Sequence, residues 1–270
     1  MFMFKLGVIG GGVMAEAIIS RLISAKIYQP AEIIISDPQL ERRNYLAQHY
    51  GVAIADNNKQ TTQATAALLL AIKPQIFSAI ATELAEAETL SKNTVILSIL
   101  AGVTLNKLEA AFPHHPVIRI MPNTPATVGA GISAIASGKL VQPSHLDITR
   151  GIFQAVGDVV EVAETLMDAV TGLSGSGPAY VAILIEALAD GGVASGLPRA
   201  IASQLALSTV LGTAQLLSES KLHPAELKDR VTSPGGTTIA GVCQLEKAGF
   251  RSALIEAVKA ATQRSKELGS

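Results

Sequence analysis

Three short stretches of this 270-residue chain carry residue types and spacings suited to holding small anions. Gly10-Gly11-Gly12-Val13-Met14-Ala15 has the spacing G-x-G-x-x-A. Between a strand and a helix, Gly10 would permit the tight turn and Gly12 would let a pyrophosphate approach the backbone. Ala15 would keep helix and strand close, and Val13 and Met14 would begin a helix whose free N–H groups and dipole face the anion. Glycine loops also close ordinary strand-to-helix turns, so the motif has weight only in that setting. Leu173-Ser174-Gly175-Ser176-Gly177-Pro178-Ala179-Tyr180 and Thr232-Ser233-Pro234-Gly235-Gly236-Thr237-Thr238 combine small residues with hydroxyls before an expected helix. Their backbone N–H groups suit a carboxylate, since no bulky side chain blocks the approach. The alternative is a pair of capped turns.

The elements that must position these stretches differ between the two halves of the chain. Up to about residue 162, short apolar runs at 6–9, 33–35, 66–72, 94–97 and 117–121 alternate with amphipathic segments at 13–24, 40–50 and 75–87. The runs are nearly uniformly apolar, as expected for parallel strands covered on both faces. A further short strand is expected near 131–136. Beyond residue 162, Ala- and Leu-rich helices are expected at 178–194 and 198–218, with two more after Gly235-Gly236 and Phe250. The fold class is therefore α/β, a Rossmann-type doubly wound parallel sheet at 1–163 followed by an all-helical region at 164–270. In that setting the first glycine motif reads as a dinucleotide loop.

Ligands in such sheets sit at the carboxyl ends of strands. Two further loops lie there, Ala71-Ile72-Lys73-Pro74 and Ser98-Ile99-Leu100-Ala101-Gly102. Lys73 reads either as a phosphate or ribose contact or as a surface lysine before a helix-starting proline. At the end of the second strand an acidic residue would bind a ribose hydroxyl, whereas basic and hydroxyl groups accommodate a 2′-phosphate. Asp37 suits NAD, while Ser36, Arg42 and Arg43 suit NADP. NADP is favoured and NAD is left open. The plainer alternative makes Ser36 or Asp37 a helix cap and both arginines solvated surface.

Composition narrows the classes. Hydrophobic residues make up 49% and charged residues 16%, with a mean hydropathy of +0.38. No stretch resembles a spanning helix, because 120–138 contains Pro122, Pro125, Gly129 and Gly131 and 200–218 is rich in Ser, Thr and Gln. With 21 basic and 22 acidic residues and no basic cluster, nucleic acid is not an expected partner. Cys243 is the only cysteine, and the five histidines lack ligand spacing, so no metal site is expected. The chain is expected to be cytoplasmic and free of membrane. The uncharged helix at 200–218 would expose an apolar side in a monomer, so association is expected.

The chain resembles the pyrroline-5-carboxylate reductase family over nearly its whole length. The resemblance rests on the motif from Gly10 to Ala15, on Ala71-Ile72-Lys73-Pro74, on Met121-Pro122-Asn123-Thr124-Pro125, and on the segments from Asp168 to Tyr180 and from Val231 to Thr238. It implies reduction of L-1-pyrroline-5-carboxylate to L-proline by hydride transfer from nicotinamide C4 to the imine carbon, the last step of proline biosynthesis. It implies that the substrate carboxylate lies on Ser233 and the N–H groups around Gly236, Thr237 and Thr238, with the Thr238 hydroxyl near the ring nitrogen. Glu164 matches a position near the substrate. Ser36 and Asn58 match cofactor-contacting positions, and Met121-Pro122-Asn123 would line the nicotinamide side. A homodimer through the helical domain, assembling further and with sites completed by a neighbouring chain, is also implied.

The two glycine-rich stretches contain no strong acid. The imine would then arrive protonated or take its proton from water, with Thr238 polarising it. A β-hydroxyacid dehydrogenase is the rival enzyme, but it uses a lysine in its helical half, and no lysine occurs between Lys139 and Lys221. A dinucleotide sensor would need no second anion site.

Overall fold

A computed structural model describes residues 4–85 and 90–269. These residues form two compact units, one of residues 4–175 together with 260–269, the other of Ser176–Lys259. The first unit holds strands β1 (Leu6–Ile9), β2 (Ile33–Ser36), β3 (Ala53–Ile54), β4 (Ala67–Leu70), β5 (Val95–Ser98), β6 (Val117–Met121), β7 (Gly131–Ser137) and β8 (Gly157–Glu161) in one sheet. Their order is β3-β2-β1-β4-β5-β6-β7-β8. Around them lie α1 (Val13–Ser24), α2 (Leu40–Tyr50), α3 (Asn58–Thr61), α4 (Phe77–Ala85), α5 (Leu105–Ala111), α6 (Pro143–Gln154) and α7 (Met167–Val170). Part of the expected helix 75–87 lies outside the described residues.

The sheet is a doubly wound Rossmann type, and its core follows from the strand period of two. Leu6, Val8, Ala67 and Leu69 enter one apolar cluster, while Ile9, Leu68 and Leu70 enter the other. Strands β1, β2, β4 and β5 are thus buried on both faces, and each fully buried Leu or Ile contributes roughly 1.5–3 kcal/mol. The expectation of a wholly parallel sheet needs one correction: β7 runs antiparallel to β6, and β8 runs parallel to β7. Only a 3-10 turn, Thr124–Val128, joins β6 to β7. That connection is too short for the crossover of a dozen or more residues that a parallel return requires.

The expected boundary at 163/164 also differs from the division at 175/176. Met167 is fully buried in the sheet's second cluster, which keeps the segment after β8 in the first unit. The chain then returns at its far end, where Ser265 Oγ donates to Asp168 Oδ1 at 2.7 Å and Lys107 Nζ donates to the Gly269 carbonyl at 2.8 Å.

The second unit contains α8 (Gly177–Ala194), α9 (Arg199–Ser220), α10 (Pro224–Arg230), α11 (Thr237–Lys247) and the first half of α12 (Phe250–Gly269). Its buried apolar cluster consists of Ala189, Ala202 and Ala206. Large side chains point outward instead: Ile183 is 64% exposed and Leu211 65%. A core of three alanines is too small to hold five helices, so these faces call for a partner surface. By length and apolar composition alone, the helical stretches Glu164–Ala194 and Arg199–Ser220 reach those of a membrane span, contrary to the sequence expectation. The cause is the near absence of charge: Ser, Thr and Gly dilute an apolar helix without making it strongly polar.

Candidate active site

The dinucleotide motif lies where the sheet reverses its strand order, between β1 and β4, at the carboxyl edge. Gly10 turns the chain with φ +96°, and a Cβ there would come within 2.5 Å of the Ala71 carbonyl oxygen. The Gly10 N–H donates to the Ser36 carbonyl at 2.8 Å, that of Ala71 to the Ile9 carbonyl at 2.8 Å, and that of Ile99 to the Leu70 carbonyl at 3.2 Å. These bonds gather Gly10, Ser36, Ala71 and Ile99, with Ile72, Lys73, Pro74 and Ala101 following on the same edge. Lys73 is exposed at the start of the 3-10 turn Pro74–Ile76.

Gly12 is the N-cap of α1, with no side-chain cap on the helix, and no heavy atom lies within 4 Å of a Cβ built there. Open space in front of uncapped N–H groups at a helix start fits a dinucleotide pyrophosphate. Val13 is 72% exposed beside that space, and Ala15 is buried against the sheet.

Ser36 and Asn58, separate in sequence, meet here. The Ser36 hydroxyl donates to Asn58 Oδ1 at 2.7 Å, and Asn58 Nδ2 donates to Glu83 Oε2 at 2.8 Å. Asp37 accepts the Gly11 N–H at 2.8 Å through Oδ2 and the Gln39 N–H at 2.9 Å through Oδ1. Arg42 donates through Nε to the Gly11 carbonyl and through Nη2 to Glu16, and its guanidinium lies 5.0 Å from the centre of the Tyr45 ring. Arg43 reaches inward to the Ala55 carbonyl at 2.7 Å. Neither arginine is solvated surface, because each closes a backbone carbonyl.

Glu16 and Gly11 are the residues sequence reasoning passed over. Glu16 accepts from Tyr50 at 2.8 Å and from Tyr45 at 3.2 Å as well as from Arg42. Partial burial pushes its carboxyl upward, but the hydrogen bonds from Arg42 and Tyr50 and the Arg42 charge outweigh it and hold the group below its ordinary range. Desolvation and Glu16 together push the Tyr50 hydroxyl up to about 12. Gly11 looked like the free position of its motif, yet a Cβ there would meet Leu46 Cδ1 at 2.9 Å and Arg42 Cγ at 3.3 Å.

Asn123, at the end of β6, donates to the Ser174 carbonyl at 3.2 Å and accepts the Ile132 N–H at 3.0 Å. The segment it holds is a correction to the expected first anion loop. Thr171–Gly175 is one turn of π-helix, so its amides enter helical hydrogen bonds and do not face a ligand as a loop would. Small residues make the turn fit: a Cβ on Gly175 would lie 2.8 Å from Met121 Cε. Glu164 is engaged too, accepting the Leu105 N–H and pairing at 3.2 Å with Arg119, whose side chain is 7% exposed.

In the second unit, the stretch from Thr232 to Thr238 does form a turn before a helix. Gly235 has φ +67°, Gly236 is the uncapped N-cap of α11, and its N–H donates to the Ser233 carbonyl at 3.1 Å. Among the described residues the Ser233, Thr237 and Thr238 side chains enter no protein hydrogen bond and leave their hydroxyls open. No cluster of metal-ligating side chains occurs among the described residues.

A family model described as pyrroline-5-carboxylate reductase dimerisation matches residues 164–268, and one described as NADP oxidoreductase, coenzyme F420-dependent, matches 5–102. The pyrroline-5-carboxylate reductase of Synechocystis sp. is 59% identical over 265 residues, 98% of each chain. The chain belongs to the pyrroline-5-carboxylate reductase family. The Arabidopsis thaliana member is 44% identical over 98% of this chain and 95% of its own. The Coxiella burnetii reductase structure superposes with a TM-score of 0.92 at 32% identity, covering 99% of both chains. The Plasmodium falciparum pyrroline carboxylate reductase, solved with NADP bound, gives 0.88 at 31% identity over the full length of both. Family membership accounts for the exposed apolar helices of the second unit, since residues 164–268 match a dimerisation module and such faces are covered when chains associate.

Proposed function

We infer that this chain reduces the C=N bond of L-1-pyrroline-5-carboxylate to give L-proline with NAD(P)H. The observation that carries the reading is likeness over 98% of the chain to a pyrroline-5-carboxylate reductase at 59% identity, with the phosphate loop of the first unit open to a ligand. A bound reduced nicotinamide would supply the hydride. Gly10, Gly12, Val13, Met14 and Ala15 would hold the pyrophosphate, Ser36, Arg42 and Asn58 the adenosine side, and Lys73, Ile99, Ala101 and Asn123 the approach to the nicotinamide.

Ser233, Gly235, Gly236, Thr237 and Thr238 would hold the substrate carboxylate at the uncapped start of α11, the Thr238 hydroxyl orienting and polarising the ring nitrogen. Residues 164–270 then serve as the substrate and dimerisation region. The apolar faces of α8 and α9 support a homodimer that assembles further, and a single cysteine, which allows no internal disulfide, supports a cytoplasmic setting.

Purified protein mixed with pyrroline-5-carboxylate and NADPH or NADH tests the reading through absorbance of the reduced cofactor. Consumption matched by proline formation is the expected result. Binding of cofactor without any consumption would instead support a sensor.

A further inference from the structure

The contacts of Arg42 bear on which dinucleotide the first unit accepts. Its guanidinium lies across the phosphate loop, with Nε on the Gly11 carbonyl, Nη2 on Glu16 and the Tyr45 ring against it. Glu16 is fixed in turn by the Tyr50 hydroxyl at 2.8 Å and the Tyr45 hydroxyl at 3.2 Å. Arg42 and Glu16 are only 25% and 23% exposed, so their charges cancel locally with limited screening. Asp37 remains, its carboxylate on the Gly11 N–H at 2.8 Å, directly after the strand end where the ribose hydroxyls of a dinucleotide are read.

A 2′-phosphate brings roughly two negative charges. It would face Asp37 and find the guanidinium already bonded. A free 2′-hydroxyl would find in Asp37 an acceptor.

We propose that Glu16 is a specificity-determining residue: by holding Arg42 against the phosphate loop it withholds the guanidinium from a 2′-phosphate and tilts the chain toward NADH. This rests on the reading of the first unit as a dinucleotide site. Arg42 is the group that acts on the phosphate, and Glu16 acts through it.

Calorimetric binding of NADPH and NADH, with no substrate present, tests the proposal. Glu16→Gln removes the charge and leaves one acceptor oxygen where the carboxylate has two, and Glu16→Ala is a second variant whose folding is checked by its melting curve. In both, the ratio of the NADH to the NADPH dissociation constant rises about tenfold, the worth of one charge-assisted hydrogen bond. In an Arg42→Ala background the same Glu16 substitutions leave the ratio unmoved. A ratio unmoved by Glu16→Gln in protein that binds both cofactors would overturn the proposal, as would an equal rise without Arg42. If the unsubstituted chain bound neither cofactor, the dinucleotide reading would fall and the proposal with it.

Discussion

Arg119 and Glu164 form an ion pair at 3.2 Å between the middle of β6 and the segment after β8. Arg119 is almost fully buried, and Glu164 also accepts the Leu105 N–H. Removing one partner of such a pair leaves an uncompensated buried charge. Glu164→Ala is therefore expected to destabilise the protein by about 3 kcal/mol, and Glu164→Gln, which keeps the acceptor, by less. Urea midpoints at constant slope measure both.

Gly10 and Gly12 are expected to separate stability from ligand binding. Gly10→Ala places a Cβ 2.5 Å from a backbone oxygen at φ +96° and should cost about 3 kcal/mol or more. Gly12→Ala meets no protein atom within 4 Å, so its melting temperature should match the parent while NAD(P)H binding falls at least about tenfold. Equal melting losses in the two variants would contradict the open-space reading of Gly12.

The Glu16–Tyr50 contact predicts a pH dependence at both extremes. Glu16 is depressed below its ordinary 4.5, so its contribution to stability is present above that value and fades as pH falls through the folded value. Tyr50 is raised from 10.0 to about 12, so its contribution is intact below pH 10 and is lost as pH climbs toward 12. Tyr50→Phe should flatten the alkaline limb of a stability-versus-pH curve, and Glu16→Gln the acid limb. Identical curves for parent and variants would remove the contact from the account.

Thr238→Ala is expected to lower kcat by roughly tenfold to a hundredfold with cofactor affinity unchanged, because the hydroxyl would act on the substrate ring. Steady-state kinetics with separate cofactor titrations measures this. Unchanged turnover and substrate KM together would remove the polarising role.

Leu207, 55% exposed on α9, gives a test of association. Leu207→Asp should shift the solution mass toward the 28.0 kDa monomer and reduce activity with it. Light scattering on the eluting protein reads the change.

The strands β1, β2, β4, β5 and β6 were legible because burial on both faces leaves short, nearly unbroken apolar runs. The two-residue β3 is too short to leave such a run, and β8, mostly exposed at the sheet edge, reads Gly-Asp-Val-Val-Glu and looks like a loop. Helix α6 was missed because Pro143, Ser144 and Gly151 interrupt its apolar stripe. The π-turn at Thr171–Gly175 has no local signature, and the close approach that favours glycine at its end is to Met121, in a distant segment. Glycines and hydroxyls announced the phosphate loop and the turn before α11. The engagements of Glu16, Arg42 and Asp37 did not show, because each is a pairing between distant segments. One signal was available and unread: Arg119 stands alone in the apolar run Val-Ile-Arg-Ile-Met and needed a carboxylate.

The return of residues 260–269 to the first unit bears on how the chain is made. A ribosome delivers the sheet and its phosphate loop long before it delivers Ser265, the partner of Asp168, or Gly269, which takes the Lys107 ammonium. The nascent nucleotide unit thus stays unlatched until the helical segment between its two parts has emerged. Premature termination after Lys259 would release a sheet that had folded without its clasp.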